Sequence, residues 1–198
     1  VAPGAAVSTL ANPNLGWEKT RQLDLGLDLN LWNDRVNFTY DYYLKNTTNL
    51  LYSVQIAQES GFGNFNDNIG EIKFWGHEFG VSTKNTTGAV KWTTNANISF
   101  NRNVVVALAP GIDRVYGTFH ITKVGQPFGQ FYGFISQGMY KNQADVDASP
   151  KVPGRSFPGT IKLWDANGDG VITNGGNNDD RVIMGNPFPD FVYGITNN

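Results

Sequence analysis

The 198-residue chain contains no cysteine, which removes disulfide frameworks, thiol nucleophiles and Cys-ligated zinc together. Charge is scarce as well: Asp, Glu, Lys and Arg make up 16% of the residues, and the formal net charge is -2. Lys and Arg form no cluster along the sequence, so nothing favours nucleic acid as a partner. The two histidines, His77 and His120, lie far apart without a metal-ligand spacing and read as ordinary strand or loop residues. No apolar run reaches the ~18 residues that a membrane helix needs. The opening VAPGAAVSTLANPN lacks both the charged and the apolar regions of a signal peptide, and with Val1 at its head the chain is expected to be an internal piece of a longer protein.

What is present favours strands and turns. Aromatic residues reach 13%, there are 23 glycines, and Asn is abundant. In LDLGLDLNL, Leu23, Leu25, Leu27, Leu29 and Leu31 alternate strictly with Asp24, Gly26, Asp28 and Asn30, the period of a half-buried strand. WNDR reads as a tight turn. VNFTYDYYLK resumes the alternation, with Val36, Phe38, Tyr40, Tyr42 and Leu44 on one face, so the two segments form a long hairpin. A third strand is expected from Ile69, with a bulge near Trp75-Gly76 where the alternation slips. In the fourth, Val90, Trp92, Ala96, Ile98 and Phe100 oppose a face of Lys91, Thr93, Asn95, Asn97, Ser99 and Asn101.

The expected strands are about 20–32, 36–48, 69–84, 90–103 and 190–197, with a long outer loop over about 104–189. Connections are short at one end and long at the other. This predicts an all-β, antiparallel up-and-down meander forming part of a transmembrane β-barrel with long extracellular loops, because such barrels have short periplasmic turns and strands of ~9–11 residues across the lipid. Leu25, Leu27, Leu29, Phe38, Tyr40, Ile98 and Phe100 should face lipid; Asp24, Asp28, Asn37, Asp41, Asn95 and Asn97 should line the inside. Alternation by itself also fits a soluble sandwich, which has one apolar and one polar face per strand. Strands longer than the usual ~5–6 residues and a polar face of Asn, Thr, Ser and Asp favour the barrel.

LWDANGDGVITNGGNNDDR matches the first half of a calcium loop. Asp165, Asn167, Asp169 and Gly170 fit loop positions 1, 3, 5 and 6, and Val171 offers a carbonyl at 7. Position 12 is Gly176, which has no ligand, and no helical pattern flanks the loop. Asp179 or Asp180 could complete a structural Ca²⁺ site if TNGGNN folds back; the alternative is a hydrogen-bonded turn without metal. Asp24 and Asp28 share a strand face but stand roughly 13 Å apart by rise per residue, too far for a glycosidase pair. Phe62, Phe65, Phe119, Phe128, Phe131 and Tyr132 are loop aromatics that could stack on sugar rings or a partner, or simply fold the loops.

NPNLGWEKTRQLDLGLDLNLWNDRVNFTYDYYLKNTTNLL, VGQPFGQFYGFISQGMY, PGTIKLWDANGDGVI and DDRVIMGNPFPDFVYGI together resemble the late-barrel region of SusC/RagA-type TonB-dependent outer-membrane transporters of Bacteroidota, in the family's order. The chain departs from the family pattern where Thr173 and NGGNN separate Ile172 from Asp179 and Asp180. The resemblance implies a fragment of the C-terminal half of a barrel, import of an oligosaccharide or peptide across the bacterial outer membrane, a SusD-like lipoprotein as partner, and TonB acting through parts outside this chain. It implies contact with outer-membrane lipid and no catalysis. The alternative from another class is a secreted β-sandwich carbohydrate-binding module with a calcium loop.

Overall fold

A computed structural model describes residues 10–55, 59, 61–62, 64–68, 70–109 and 111–198. The first of its two units comprises the chain up to Val115, Thr122–Phe128 and Phe188–Asn198. β1 (Lys19–Leu31) and β2 (Val36–Thr48) pair in unbroken antiparallel register from Lys19 opposite Thr48 to Leu31 opposite Val36. The turn between them places Trp32, Asn33 and Asp34 at φ of 55, 54 and 60°. Asn and Asp tolerate this left-handed region; Trp32 is its strained member. Arg35 fixes the turn by donating to the carbonyls of Lys84 and Asn85.

A short hairpin of β3 (Leu51–Gln55) and β4 (Asn64–Asn68) follows. The chain then returns to the large sheet as β5 (Glu71–Thr87) and β6 (Lys91–Ala107). Ile69, the expected start of the third long strand, lies outside the described residues. β5 pairs with β2 without interruption past Trp75 and Gly76, so the expected bulge is not there. Register shifts fall instead at Glu71/Ile72 and Lys84/Thr86. The alternation slips for a different reason: Ile72 and Phe74 are apolar residues on the otherwise polar face, where they line a cavity.

The segment expected as one long loop over about 104–189 contains further structure. β7 (Arg114–Tyr116), β8 (His120–Lys123), β9 (Gln130–Gly133) and β12 (Val182–Gly185) form a four-stranded sheet in the order β12-β9-β8-β7. β10 (Ser136–Met139) pairs with β11 (Ile161–Leu163), and α1 (Gln143–Asp147) is capped by Asn142, which accepts from the Asp145 amide. Most of this belongs to the second unit, Tyr116–Ile121 and Gly129–Pro187. Its small core contains Tyr140, Val146 and Ile172.

β13 (Val192–Asn197) completes the large sheet against β6, giving the order β1-β2-β5-β6-β13 with β1 and β13 at open edges. The barrel is not closed within this chain. Thirteen residues of β1 at ~3.3 Å each give about 43 Å, enough to cross an apolar band of ~25 Å at a tilt near 40°. Among the described residues no helix is long and apolar enough to cross a membrane.

Gly76 is required by its neighbours in this sheet. It sits between Tyr43 on β2 and Asn101 on β6, and the Tyr43 hydroxyl reaches across to donate to Asn101 Oδ1 at 2.8 Å. A Cβ on Gly76 would meet Tyr43 Cε1 and Asn101 Oδ1 at 2.6 Å and the Phe100 carbonyl at 2.8 Å. Gly76→Ala is therefore expected to destabilise the intact barrel by about 1–3 kcal/mol, read as a lower urea midpoint. Gly88→Ala, with nothing within 4 Å of its new methyl, should leave the midpoint unchanged.

Candidate functional site

Opposed residues in an antiparallel pair share a face, so the registers sort the large sheet into two surfaces. One carries the rows Leu25–Tyr42–His77–Phe100, Leu27–Tyr40–Phe79–Ile98–Tyr193 and Leu29–Phe38–Val81–Ala96–Ile195. Its rings touch in sequence: Tyr40 with Phe79 at 4.9 Å, Phe79 with Phe100 at 6.4 Å and Phe100 with Phe191 at 6.2 Å between centroids. Among the described residues no second sheet layer covers this face. Leu23 to Leu31 remain 40–56% exposed at the odd positions, which a β-sandwich core would not allow.

The opposite face carries Asp24, Asp28, Asn37, Thr39, Asp41, Glu78, Asn95, Asn97 and Asn101. Small residues let polar side chains lie along this wall: Asp41 lies beside Gly26 and Thr39 beside Gly80. Asp24 accepts from Gln22 Nε2 at 2.9 Å. Towards the long connections the wall opens into a cavity of about 440 Å³ lined by Glu18, Thr20, Lys45, Thr47, Leu51, Tyr52, Ile72, Phe74, Thr122 and Phe128 among others. That volume falls in the range of small-ligand pockets. The Lys45 ammonium lies 5.9 Å from the centre of the Phe74 ring, and Glu18 accepts from the Leu51 amide at 2.9 Å. The cavity thus offers one cation, one carboxylate and aromatic faces at the end of the polar wall.

In the second unit, Asp180 organises the loop that contains the calcium half-motif. Its carboxylate is fully buried and accepts from the amides of Ala166 (3.0 Å), Asn167 (3.4 Å) and Thr173 (2.8 Å). TNGGNN does fold back, with Thr173 and Asn167 both donating to the Asn178 carbonyl. Asp165 accepts from the Gly168 and Gly170 amides at 2.7 Å each. The Gly170 amide chiefly, aided by Gly168 and the nearby Asp180 side chain, holds Asp165 below the usual carboxylate range. Asn167 and Asp169 accept from the amides two residues on, Asp169 and Val171. Among the described residues no three His, Cys, Asp or Glu side chains are grouped so as to hold a metal ion; Asp165 and Asp180 come together, with the Asn167 side chain also in this loop.

Asp179 is committed elsewhere. It takes three hydrogen bonds from the Arg181 guanidinium, the closest at 2.7 Å, and one from the Tyr132 hydroxyl at 3.1 Å. Arg181 lies 4.9 Å from the Tyr132 ring centre and 5.6 Å from that of Tyr116. Burial opposes the charge on Asp179, yet the Arg181 bonds prevail and bring its pKa down to about 2. Burial, then the Asp179 charge, pushes the Tyr132 hydroxyl up to about 12. The DDR triplet is visible in the sequence, but its partners stand about 50 and 65 residues earlier and carry no local signal. Of the other flagged aromatics, Phe119 and Phe131 are exposed and Phe128 lines the cavity.

Residues 2–155 match the family model described as TonB dependent receptor-like, beta-barrel. The chain belongs to this family. It is 35% identical to TonB-dependent receptor P3 of Formosa agariphila, over 98% of this chain and 20% of that protein. It is 30% identical to TonB-dependent receptor SusC of Bacteroides thetaiotaomicron, over 93% of this chain and 18% of that one. The solved structure of the RagAB peptide transporter superposes with a TM-score of 0.72 at 25% identity, covering 97% of this chain and 20% of that one. The chain therefore spans about a fifth of the length of the relatives it matches. In a TonB-dependent receptor barrel of the outer membrane, the apolar face is the lipid side and the polar face the lumen.

Proposed function

We propose that this chain is part of the wall of a SusC/RagA-type importer that takes up oligosaccharides or peptides across the bacterial outer membrane, with a SusD-like lipoprotein as partner and TonB supplying the energy. One observation carries the reading: a five-stranded wall with an uncovered apolar face and a wholly separate polar face that ends in a cavity. The polar wall gives a hydrated solute amide, hydroxyl and carboxylate partners without a deep apolar site that would retain it. The cavity adds Lys45 and Phe74, a cation and a ring that suit peptide carboxylates or sugar faces. Transport needs no bond-making, and no catalytic role is assigned to Asp24 or Asp28. Cells lacking the full-length protein are expected to lose uptake of labelled oligosaccharides or peptides while surface binding by the lipoprotein persists; undiminished uptake of both classes would contradict the proposal.

The loop at Asp165 is read as a weak structural Ca²⁺ site. Asp165, Asn167, Asp169, the Val171 carbonyl and Asp180 offer the oxygens, whereas Asp179 is held by Arg181. The amide bonds to Asp165 and Asp169 leave lone pairs free for a cation. With few charged ligands, the affinity belongs in the ~10⁻⁴–10⁻³ M range of extracellular sites. Removing calcium from the intact protein should increase hydrogen exchange over 165–173, and Asp165→Ala should abolish that response. Exchange that is indifferent to millimolar calcium would leave the hydrogen-bonded turn as the whole account.

A further inference from the structure

Lys and Arg are scattered along the sequence, but the fold collects four of the chain's 15 on one edge of the lipid-facing surface. On that face, above the apolar rows, the register sets Arg21 opposite Asn46 and Asn46 opposite Lys73. Lys19 precedes Arg21 by two positions and so shares its face. Arg102 is opposite Trp75, placing it diagonally next to Lys73, about 7–8 Å away through the backbone. Lys19, Arg21, Lys73 and Arg102 are all exposed. Two carboxylates stand with them. Glu71 accepts from Asn46 Nδ2 at 2.8 Å, and Asp190 pairs with Arg102 at 3.3 Å. Lys19, Arg21 and Lys73 have no carboxylate partner among the described residues.

The other end of the same face carries less charge, and its Arg35 guanidinium is already bonded to the Lys84 and Asn85 carbonyls. Beside the short turns this end presents Thr83, Asn85, Thr94, Trp92 and Asn197, bonded to one another. Fully charged Lys and Arg side chains directly above an apolar band reach into the interface, where anionic headgroups are within range of them. The two rims of one membrane-facing surface therefore differ in charge, the cationic one lying at the end with the long connections.

We propose that Lys19, Arg21 and Lys73, extended by Arg102, form a binding site for the phosphate-bearing headgroup of an anionic lipid in the outer leaflet. Its acyl chains lie on the Leu23–Leu44–Trp75 row below. Three unpaired cations complement a phosphate, and the apolar row complements the chains, so the occupant is a lipid rather than a free ion. The site rests on placing the apolar face in lipid and is independent of what the protein imports.

The test uses the intact detergent-purified protein titrated with monophosphoryl lipid A and followed by native mass spectrometry. The double variant Arg21→Gln/Lys73→Gln is expected to lose roughly ten- to thirtyfold in affinity, from two cations near an anionic surface. Lys91→Gln, in the strand end at the opposite rim, should lose nothing, and millimolar inorganic phosphate should not compete. Equal affinity in the double variant, or displacement by inorganic phosphate, would overturn the lipid site. Failure of the wild-type protein to enter lipid nanodiscs would instead overturn the placement of the apolar face.

Discussion

Every peptide group in hydrocarbon must find its hydrogen bond within the protein, and a strand can find it only in its neighbours. The large sheet follows from this constraint. Its first four strands pair over long registers, and its two edges, β1 and β13, are left to strands outside this chain. Pairing on this scale forces the side chains into two surfaces with a period of two, one facing acyl chains and the other water. The same requirement confines irregular backbone to the ends. There the strained Trp32–Asp34 turn is tied down by Arg35, and the long connections build sheets of their own.

The two surfaces solve different problems. On the lipid side large residues interlock as a sheet of rings and leucines, stabilised by contact with hydrocarbon instead of a second protein layer. On the lumen side small residues are what matter, because Gly26, Gly76 and Gly80 leave room for Asp41, Tyr43 and Thr39 to lie along the wall. Tyr43 reaching over Gly76 to Asn101 is a cross-strand tie that also keeps the wall low. A flat polar wall and a rough apolar exterior are the form expected of a conduit embedded in lipid.

Much of the large sheet was legible in the sequence, since Leu23 to Leu31 alternate without exception and a half-immersed strand leaves no other pattern. The slip at Trp75-Gly76 was misread as a bulge because Ile72 and Phe74 are apolar on the lumen face, for a reason that lies in Phe128 and Thr122, over 45 residues away. The β7–β12 region was opaque. Its strands have three or four residues each, too few to establish a period, and are held by Gly- and Pro-rich turns. In the candidate cation loop the half-motif was visible, while the part Asp180 plays as a buried acceptor for three amides was not. A carboxylate inside a polar run gives no sign of being the centre of a loop.

The central claim is that the odd-numbered residues of β1 face lipid and the even-numbered ones face the water of the lumen. Spin labels placed one at a time from Leu23 to Leu31 in the full-length protein in bilayers test it through collision with oxygen, which concentrates in lipid, and with a water-soluble nickel chelate. The account predicts alternation with a period of two, oxygen relaxing the odd positions and nickel the even ones. Flat accessibility along the strand, or the inverse alternation, would contradict it.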